Sequence, residues 1–339
     1  MSIDGKVVFS VIGLEHSHIF EMTKRMIRAG AKLKSVYSDN KKSLKHFSQL
    51  YPDCKFCFQD DILKDQQTKL IVCASRPDLR AEIGIKSMLN GKDFLSAKPG
   101  ILTLKDLEKI KQVQRDTQQI FSICFSERFW SGSTLKAMEL VKKGLIGEVV
   151  STTALGPHCI DIVDRPTWFY QPKFSGGILI DLASHQIDQF LVFSGATEIS
   201  IIHSQVANKA HSSKPGFEDI GELVLSGKKV FGTVRVDWLS PKALGVWGDS
   251  RLIIQGTDGY IELRKTIDLD GKSGEEHLFL VNHKGVQYYD CNQAQNLFAD
   301  ALVGDVLNRT ELSMPQTHCF YVSEMAIQAQ TLAYFDLQS

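Results

Sequence analysis

The sequence predicts an α/β protein: a doubly wound parallel sheet in the first half and a strand-rich second half. Three observations carry this expectation. Strand-like and helix-like stretches alternate at regular length through the first 125 residues. The strand-like stretches are short unbroken apolar runs, as strands covered on both faces require. The length of 339 residues exceeds the usual size of one domain and points to two.

Lys6 to Ile12 opens the chain as a β-branched apolar run, followed by Gly13 and a helical stretch from Ile19 to Arg28 that stops at Ala29-Gly30. Lys32 to Tyr37 is the second strand, ending in Ser38-Asp39, and a helix runs on through Leu44, Phe47 and Leu50. Lys69 to Ala74 is the next strand. The amphipathic stretch Leu79 to Leu89 closes on Asn90-Gly91, a helix C-terminal signal. Lys92 to Ala97 is a strand broken by Lys98-Pro99-Gly100, Leu104 to Gln118 a helix, and Ile120 to Phe125 a strand. Units of this kind build a doubly wound parallel sheet.

The second half reads differently. Gly147 to Ala154, Glu198 to Val206, Gly221 to Leu225, Lys229 to Asp237, Arg251 to Gln255, Tyr260 to Arg264, His277 to Val281 and Gly285 to Tyr289 are β-rich, with Gly, Asp or Ser turns between them. Leu297 to Asn308 and His318 to Phe335 read as closing helices.

Lys plus Arg equals Asp plus Glu at 39 each, so nothing in the charge balance favours nucleic acid or an acidic membrane as partner. No apolar run approaches a membrane span, and the polar start M-S-I-D-G-K lacks the layout of a secretory signal. Seven scattered cysteines read as reduced thiols of a cytoplasmic protein. Cys54 and Cys57 form a lone CxxC pair with no second pair to complete a metal site, so no metal is expected.

A doubly wound sheet binds nucleotides at the carboxyl ends of its strands. The first turn, Gly13-Leu14-Glu15-His16-Ser17-His18, keeps only the first glycine of the G-x-G-x-x-G fingerprint. Glu15 stands where a small residue lets phosphates approach, and its charge repels them unless it points away. His18 replaces the glycine of close helix–strand packing. A Rossmann-like unit that binds no dinucleotide therefore stays open. The turn after the next strand in this reading, Ala74, Ser75, Arg76 and Pro77, belongs to the same cofactor edge. Ser38-Asp39 offers an acid for the ribose hydroxyls of NAD; Lys41 and Lys42 beyond it leave NADP open.

The stretch Ser175 to Asp188, S-G-G-I-L-I-D-L-A-S-H-Q-I-D, sets Asp181, His185 and Asp188 at helical spacings of four and three. A helix opening on Asp181 is expected, with the three side chains on one face. A carboxylate beside an imidazole suits proton transfer near neutral pH. A solvated helix with a structural cap is the alternative. Before it, P-H-C-I-D-I-V-D-R-P-T-W-F-Y mixes polar groups and rings, as a sugar pocket requires, with His158, Asp161, Arg165, Trp168 and Tyr170 as candidates. Trp238 and Trp247 flank a second loop that could line the same cleft.

With these residues in view the chain resembles the Gfo/Idh/MocA oxidoreductases, over nearly its whole length. Phe94-Leu-Ser-Ala-Lys98-Pro99 is similar to the family's Glu-Lys-Pro element, with Ala97 for Glu. Ser126-Glu-Arg128-Phe129 followed by K-K-G-L-I-G (142–147) resembles the link into the second domain. Gly176 to Asp188 resembles the G-G-G-x-x-x-D-x-x-x-H-x-x-D segment, with Ser175 at the first glycine, and Leu252 to Leu263 resembles a family hairpin.

The resemblance implies a Rossmann domain, residues 1–124, and a substrate-binding and oligomerisation α/β domain, residues 125–339, with a large, mostly antiparallel open sheet. It also implies a homodimer or homotetramer, and hydride transfer between a nicotinamide and a secondary alcohol of a sugar or cyclic polyol. On that basis His185 is the acid/base, Asp181 holds a neighbouring hydroxyl, and Lys98 stabilises alkoxide character beside the nicotinamide. Asp188 is second to these and structural. Arg128, His158, Arg165 and Trp168 join them as substrate contacts, and Pro99 joins Lys98 at the cofactor. Two alternatives stay open: a glycosidase of the same family using NAD for transient oxidation, and a non-catalytic sugar- or nucleotide-sensing regulator.

Overall fold

A computed structural model describes residues 6–160, 165–268, 271–293 and 297–336. They form two compact units, one of Met1–Cys124 with Leu297–Glu324 and one of Phe125–Asn296 with Met325–Ser339.

The first unit alternates β1 (Val8–Leu14), α1 (His18–Arg28), β2 (Lys32–Tyr37), α2 (Lys41–Leu50), β3 (Lys55–Phe56), α3 (Gln59–Lys64), β4 (Leu70–Ala74), α4 (Pro77–Leu89), β5 (Asp93–Ala97), α5 (Leu104–Thr117) and β6 (Phe121–Cys124). The six strands are parallel in the order β3-β2-β1-β4-β5-β6. This is the doubly wound arrangement, with its topological switch between β1 and β4. The central strands are buried along their length because helices cover both faces. The helix starts are set locally: Asn40 accepts from Ser43 N–H at 3.0 Å at α2, and Thr103 from Asp106 N–H at 3.0 Å at α5.

The second unit contains α6 (Ser126–Phe129), α7 (Gly132–Lys142), β7 (Val149–Pro157), α8 (Pro172–Ser175), α9 (Ser184–Ser194), β8 (Ile199–Ala207), β9 (Ile220–Gly227), β10 (Phe231–Asp237), β11 (Arg251–Gly256), β12 (Gly259–Arg264), β13 (His277–Asn282) and β14 (Gly285–Asp290). Their sheet is completed by the late strand β15 (Tyr334–Asp336), in the order β14-β13-β12-β11-β7-β10-β9-β8-β15. It is mostly antiparallel, with β7–β10 and β8–β15 parallel. Burial alternates along β10 and β11, so one face is covered and the other open. On the covered face lies α9: a Cβ at Gly232 would stand 2.6 Å from the Phe190 ring, so the strand offers glycine where the helix presses closest.

Two further helices follow β14, α10 (Phe298–Asn308) and α11 (Gln316–Leu332). Residues 297–324, assigned by the sequence to the second half, cluster instead with the first unit. Long-range polar bonds explain this. Asp93, 1% exposed, receives Arg309 at 2.7 and 3.0 Å and Ile120 N–H at 2.7 Å. Gln316 accepts from Phe121 N–H at 2.8 Å, tying α11 to β6. No helix among the described residues is long and apolar enough to cross a membrane.

Candidate functional site

In the first unit the expected cofactor residues gather at the carboxyl edge of the sheet. Gly13 has φ +83°, and a Cβ there would lie 1.9 Å from Ser75 Oγ and 2.5 Å from its Cα. Only glycine fits, because β1 and the turn after β4 touch at this point. The N–H groups of Glu15 and His16 both donate to Ala74 O, at 3.0 and 3.2 Å, and His18 N–H donates to His16 Nδ1 at 3.2 Å. Ser17 is the N-cap of α1, and its hydroxyl makes no cap bond.

Glu15 turns away from that helix start. Its Oε1 accepts from Ser38 Oγ at 3.3 Å, so the carboxylate stands at the end of β2. Burial raises the Glu15 carboxyl above its ordinary value, against the lowering effect of its hydrogen bonds and of Arg80. Ser38 in turn accepts from Asn40 N–H at 3.0 Å, and Asp39 is exposed with Tyr37 OH on its Oδ1 at 2.8 Å. Arg76 is clamped by Asp78 at 2.6 and 2.9 Å, and Pro77 opens α4.

One residue of this edge escaped the sequence reading. Arg80 on α4 is fully buried, and its guanidinium donates to Ser75 O at 2.6 Å and to Ala97 O, Lys98 O and Pro99 O at 3.0, 2.8 and 2.9 Å. It ties the end of β4 to the end of β5 and fixes the backbone of Lys98 and Pro99, whose peptide bond is cis. In sequence Arg80 looks like any charged residue of an amphipathic helix.

The second unit carries Asp181 and His185. Gly176 and Gly177 turn the chain with φ +98° and +84°, and a Cβ at Gly177 would meet Gln330 at 2.5 Å. A π-helical turn, Leu179–Ala183, precedes α9. Asp181 therefore lies inside this turn and does not cap the helix. The caps come from distant residues: Glu218 accepts from Ile178 N–H at 2.7 Å, and Gln330 accepts from Leu179 N–H at 3.0 Å. Gln330 also donates to Glu218 at 2.9 and 3.0 Å, which joins the two caps. A π turn leaves the regular helical spacing, and such turns recur at functional sites. The three side chains differ accordingly, with Asp181 half-buried, His185 2% exposed and Asp188 fully buried.

Asp188 forms an ion pair with Arg128 at 2.8 Å. Arg128, expected among the substrate contacts, is buried, committed to Asp188 and stacked over Phe129 at 4.2 Å. His185 meets Phe125 edge to face at 6.3 Å. Glu127, also passed over in the sequence reading, binds Lys265 at 2.7 Å. Burial raises its carboxyl, but the charges of Lys265, His185 and His158 outweigh this and hold it below the ordinary range.

The two expected substrate loops meet at Arg165. Its guanidinium lies over Phe169 at 4.4 Å, Trp247 at 4.7 Å and Trp238 at 5.0 Å. Burial lowers its pKa, and Asp181 opposes this. Phe169 and Trp238 are buried, so these rings belong to the core as well as to the loops, whereas Trp168 is half-buried. His158 Nδ1 lies 3.0 Å from Gly156 O, and its ring meets Trp238 at 5.4 Å. A small cavity faces Asp181, with Phe169, Ile178, Phe217, Glu218 and Trp238 in its wall. Asp161 lies outside the described residues.

Burial pushes the Cys54 thiol up to about 12. Among the described residues no group of three His, Cys, Asp or Glu side chains could hold a metal ion.

Comparison with known proteins bears on both units. A family profile described as the GFO/IDH/MocA C-terminal domain matches residues 134–262. A crystal structure from Erwinia carotovora atroseptica SCRI1043, whose protein carries only the general assignment of oxidoreductase, is 40% identical with a TM-score of 0.95, covering 98% of this chain and all of that one. The chain spans about half the length of the curated relatives it matches. One is myo-inositol 2-dehydrogenase of Thermotoga maritima, 25% identical over 207 residues, 60% of this chain and 56% of that protein. The structure of a levoglucosan dehydrogenase in complex with NADH and levoglucosan shares the fold, with a TM-score of 0.79 at 15% identity over 96% of each chain.

Proposed function

Because the chain belongs to the Gfo/Idh/MocA oxidoreductases, we propose that it transfers a hydride between a nicotinamide cofactor and a secondary alcohol or ketone of a sugar or cyclic polyol. The observation that carries this is a joint one. One chain holds a doubly wound sheet with Gly13 and Lys98 at its carboxyl edge, and also an Asp181–His185 segment whose start is capped by distant residues. The inositol and levoglucosan dehydrogenases among the comparisons support the substrate class.

The residues present fit a dinucleotide. Gly13 admits the close approach of β1 and β4, the α1 start offers Ser17, and Glu15 points away from that start. When bound, the nicotinamide supplies the hydride acceptor or donor. The protein does the rest. His185 takes the hydroxyl proton in oxidation and returns it in reduction. Asp181 accepts from a neighbouring hydroxyl, and Lys98 stabilises negative charge on the reacting oxygen. Arg165 and its rings offer a polar group beside apolar faces, which suits a sugar. Asp188 and Arg128 hold the helix in place. The open sheet face exposes Ile202, Phe231 and Ile253, which supports pairing with a second copy of the chain.

NAD is the favoured cofactor, on the strength of Asp39 at the end of β2. Calorimetric titration is expected to show NADH binding more tightly than NADPH; tighter NADPH would overturn the choice. One observation favours a sensing protein instead: the N–H groups of Glu15 and His16 are already taken by Ala74 O. Binding of neither dinucleotide would move the reading there.

A further inference from the structure

Glu15 has one carboxylate oxygen accounted for and one not. Oε1 takes the Ser38 hydroxyl, whereas Oε2 is buried and has no hydrogen-bond partner among the described residues. A buried carboxylate oxygen without a donor is costly and asks what satisfies it. Its surroundings answer. Glu15 leaves the switch point of the sheet and reaches the end of β2, where Ser38 is buried and Asp39 is exposed. In a doubly wound sheet that strand end is where the adenosine ribose of a dinucleotide presents its hydroxyls. The terminal torsion of a glutamate is soft, so a small rotation brings either oxygen to an incoming hydroxyl.

We propose that Glu15 is a second cofactor-reading carboxylate, accepting a hydrogen bond from an adenosine ribose hydroxyl and, together with Asp39, repelling a 2′-phosphate. This rests on the nicotinamide-cofactor reading above. It gives the residue that breaks the glycine fingerprint a positive role. Two carboxylates on either side of Ser38 make that strand end doubly hostile to a phosphate, through like charge and through donors that a phosphate cannot supply.

The test is a set of NADH and NADPH titrations on the whole protein, on Glu15→Gln and on Asp39→Asn, with the melting temperature of each recorded. Glu15→Gln keeps the size of the side chain and an acceptor for Ser38. It should weaken NADH and shift the NADPH-to-NADH affinity ratio toward NADPH by about tenfold, or about 1.4 kcal/mol. Asp39→Asn should shift it in the same direction. A purely structural Glu15 would lower the melting temperature and leave the ratio alone. If Glu15→Gln does not fold, Glu15→Gly, which supplies the second glycine of the fingerprint and removes the carboxylate, should show the same shift. A wild type that prefers NADH while both Glu15 variants keep its ratio would overturn this inference and leave the cofactor assignment standing. A wild type that binds neither dinucleotide would overturn both.

Discussion

His185→Ala is expected to lower kcat by roughly 10²–10⁴, the usual size of general acid/base assistance. NADH affinity should stay nearly unchanged, because His185 belongs to the second unit and the residues proposed to hold the cofactor to the first. The side chain is 2% exposed and packs on Phe125, so its removal also leaves a void and some loss of stability. His185→Gln separates the two effects, since it fills more of the void but cannot exchange a proton near neutral pH. Proton transfer predicts that both variants lose turnover, with Gln the more stable. Either variant folded and within a few-fold of normal kcat would end the assignment, and Asp181 would be the next candidate.

Arg80→Met is expected to cost about 3–5 kcal/mol of stability, because several buried acceptors lose their donor at once. Four carbonyls, those of Ser75, Ala97, Lys98 and Pro99, would lose a donor inside a site that water does not reach. In the unfolding transition of the first unit this corresponds to a drop of roughly 10 °C. Because the lost bonds join the ends of β4 and β5, cofactor affinity should fall as well. Arg80→Lys keeps the charge but lacks the guanidinium fork, so it should recover only part of both. An Arg80→Met protein that melts with the wild type and binds NADH normally would show that the strand ends hold themselves.

The first unit was legible because strands covered on both faces must be apolar throughout, and runs such as Leu70–Ala74 cannot be mistaken for surface. β3 was missed: its two residues, Lys55 and Phe56, are exposed and carry no pattern. The helix α7 was missed too. Gly132-Ser-Thr is a weak start, and its cap, Ser131 to Thr134 N–H, is a short-range signal lost among other serines.

At the candidate site the D-x-x-x-H spacing was visible but the helix start was misjudged. Its capping acceptors come from Glu218 and Gln330, 40 and 151 residues away from the N–H groups they serve. No local pattern reports such a pairing. The ion pair of Arg128 is hidden in the sequence for a related reason. An arginine in a short helix looks exposed until the fold supplies Asp188. Arg80 shows the same limit, since the three consecutive carbonyls it binds become its partners only when α4 packs beside β5.

The central claim is net hydride transfer to or from a sugar or polyol, and a turnover screen tests it most directly. The protein is mixed with NAD and a panel of sugars and inositols, and absorbance is followed at the nicotinamide band, with His185→Ala alongside. The expected result is a substrate-dependent rise for at least one polyol that is lost in His185→Ala. Tight NADH binding with no absorbance change for any sugar or polyol would contradict the claim and favour a sensing protein. Release of an aglycone from a glycoside without net NADH would contradict it in favour of transient oxidation.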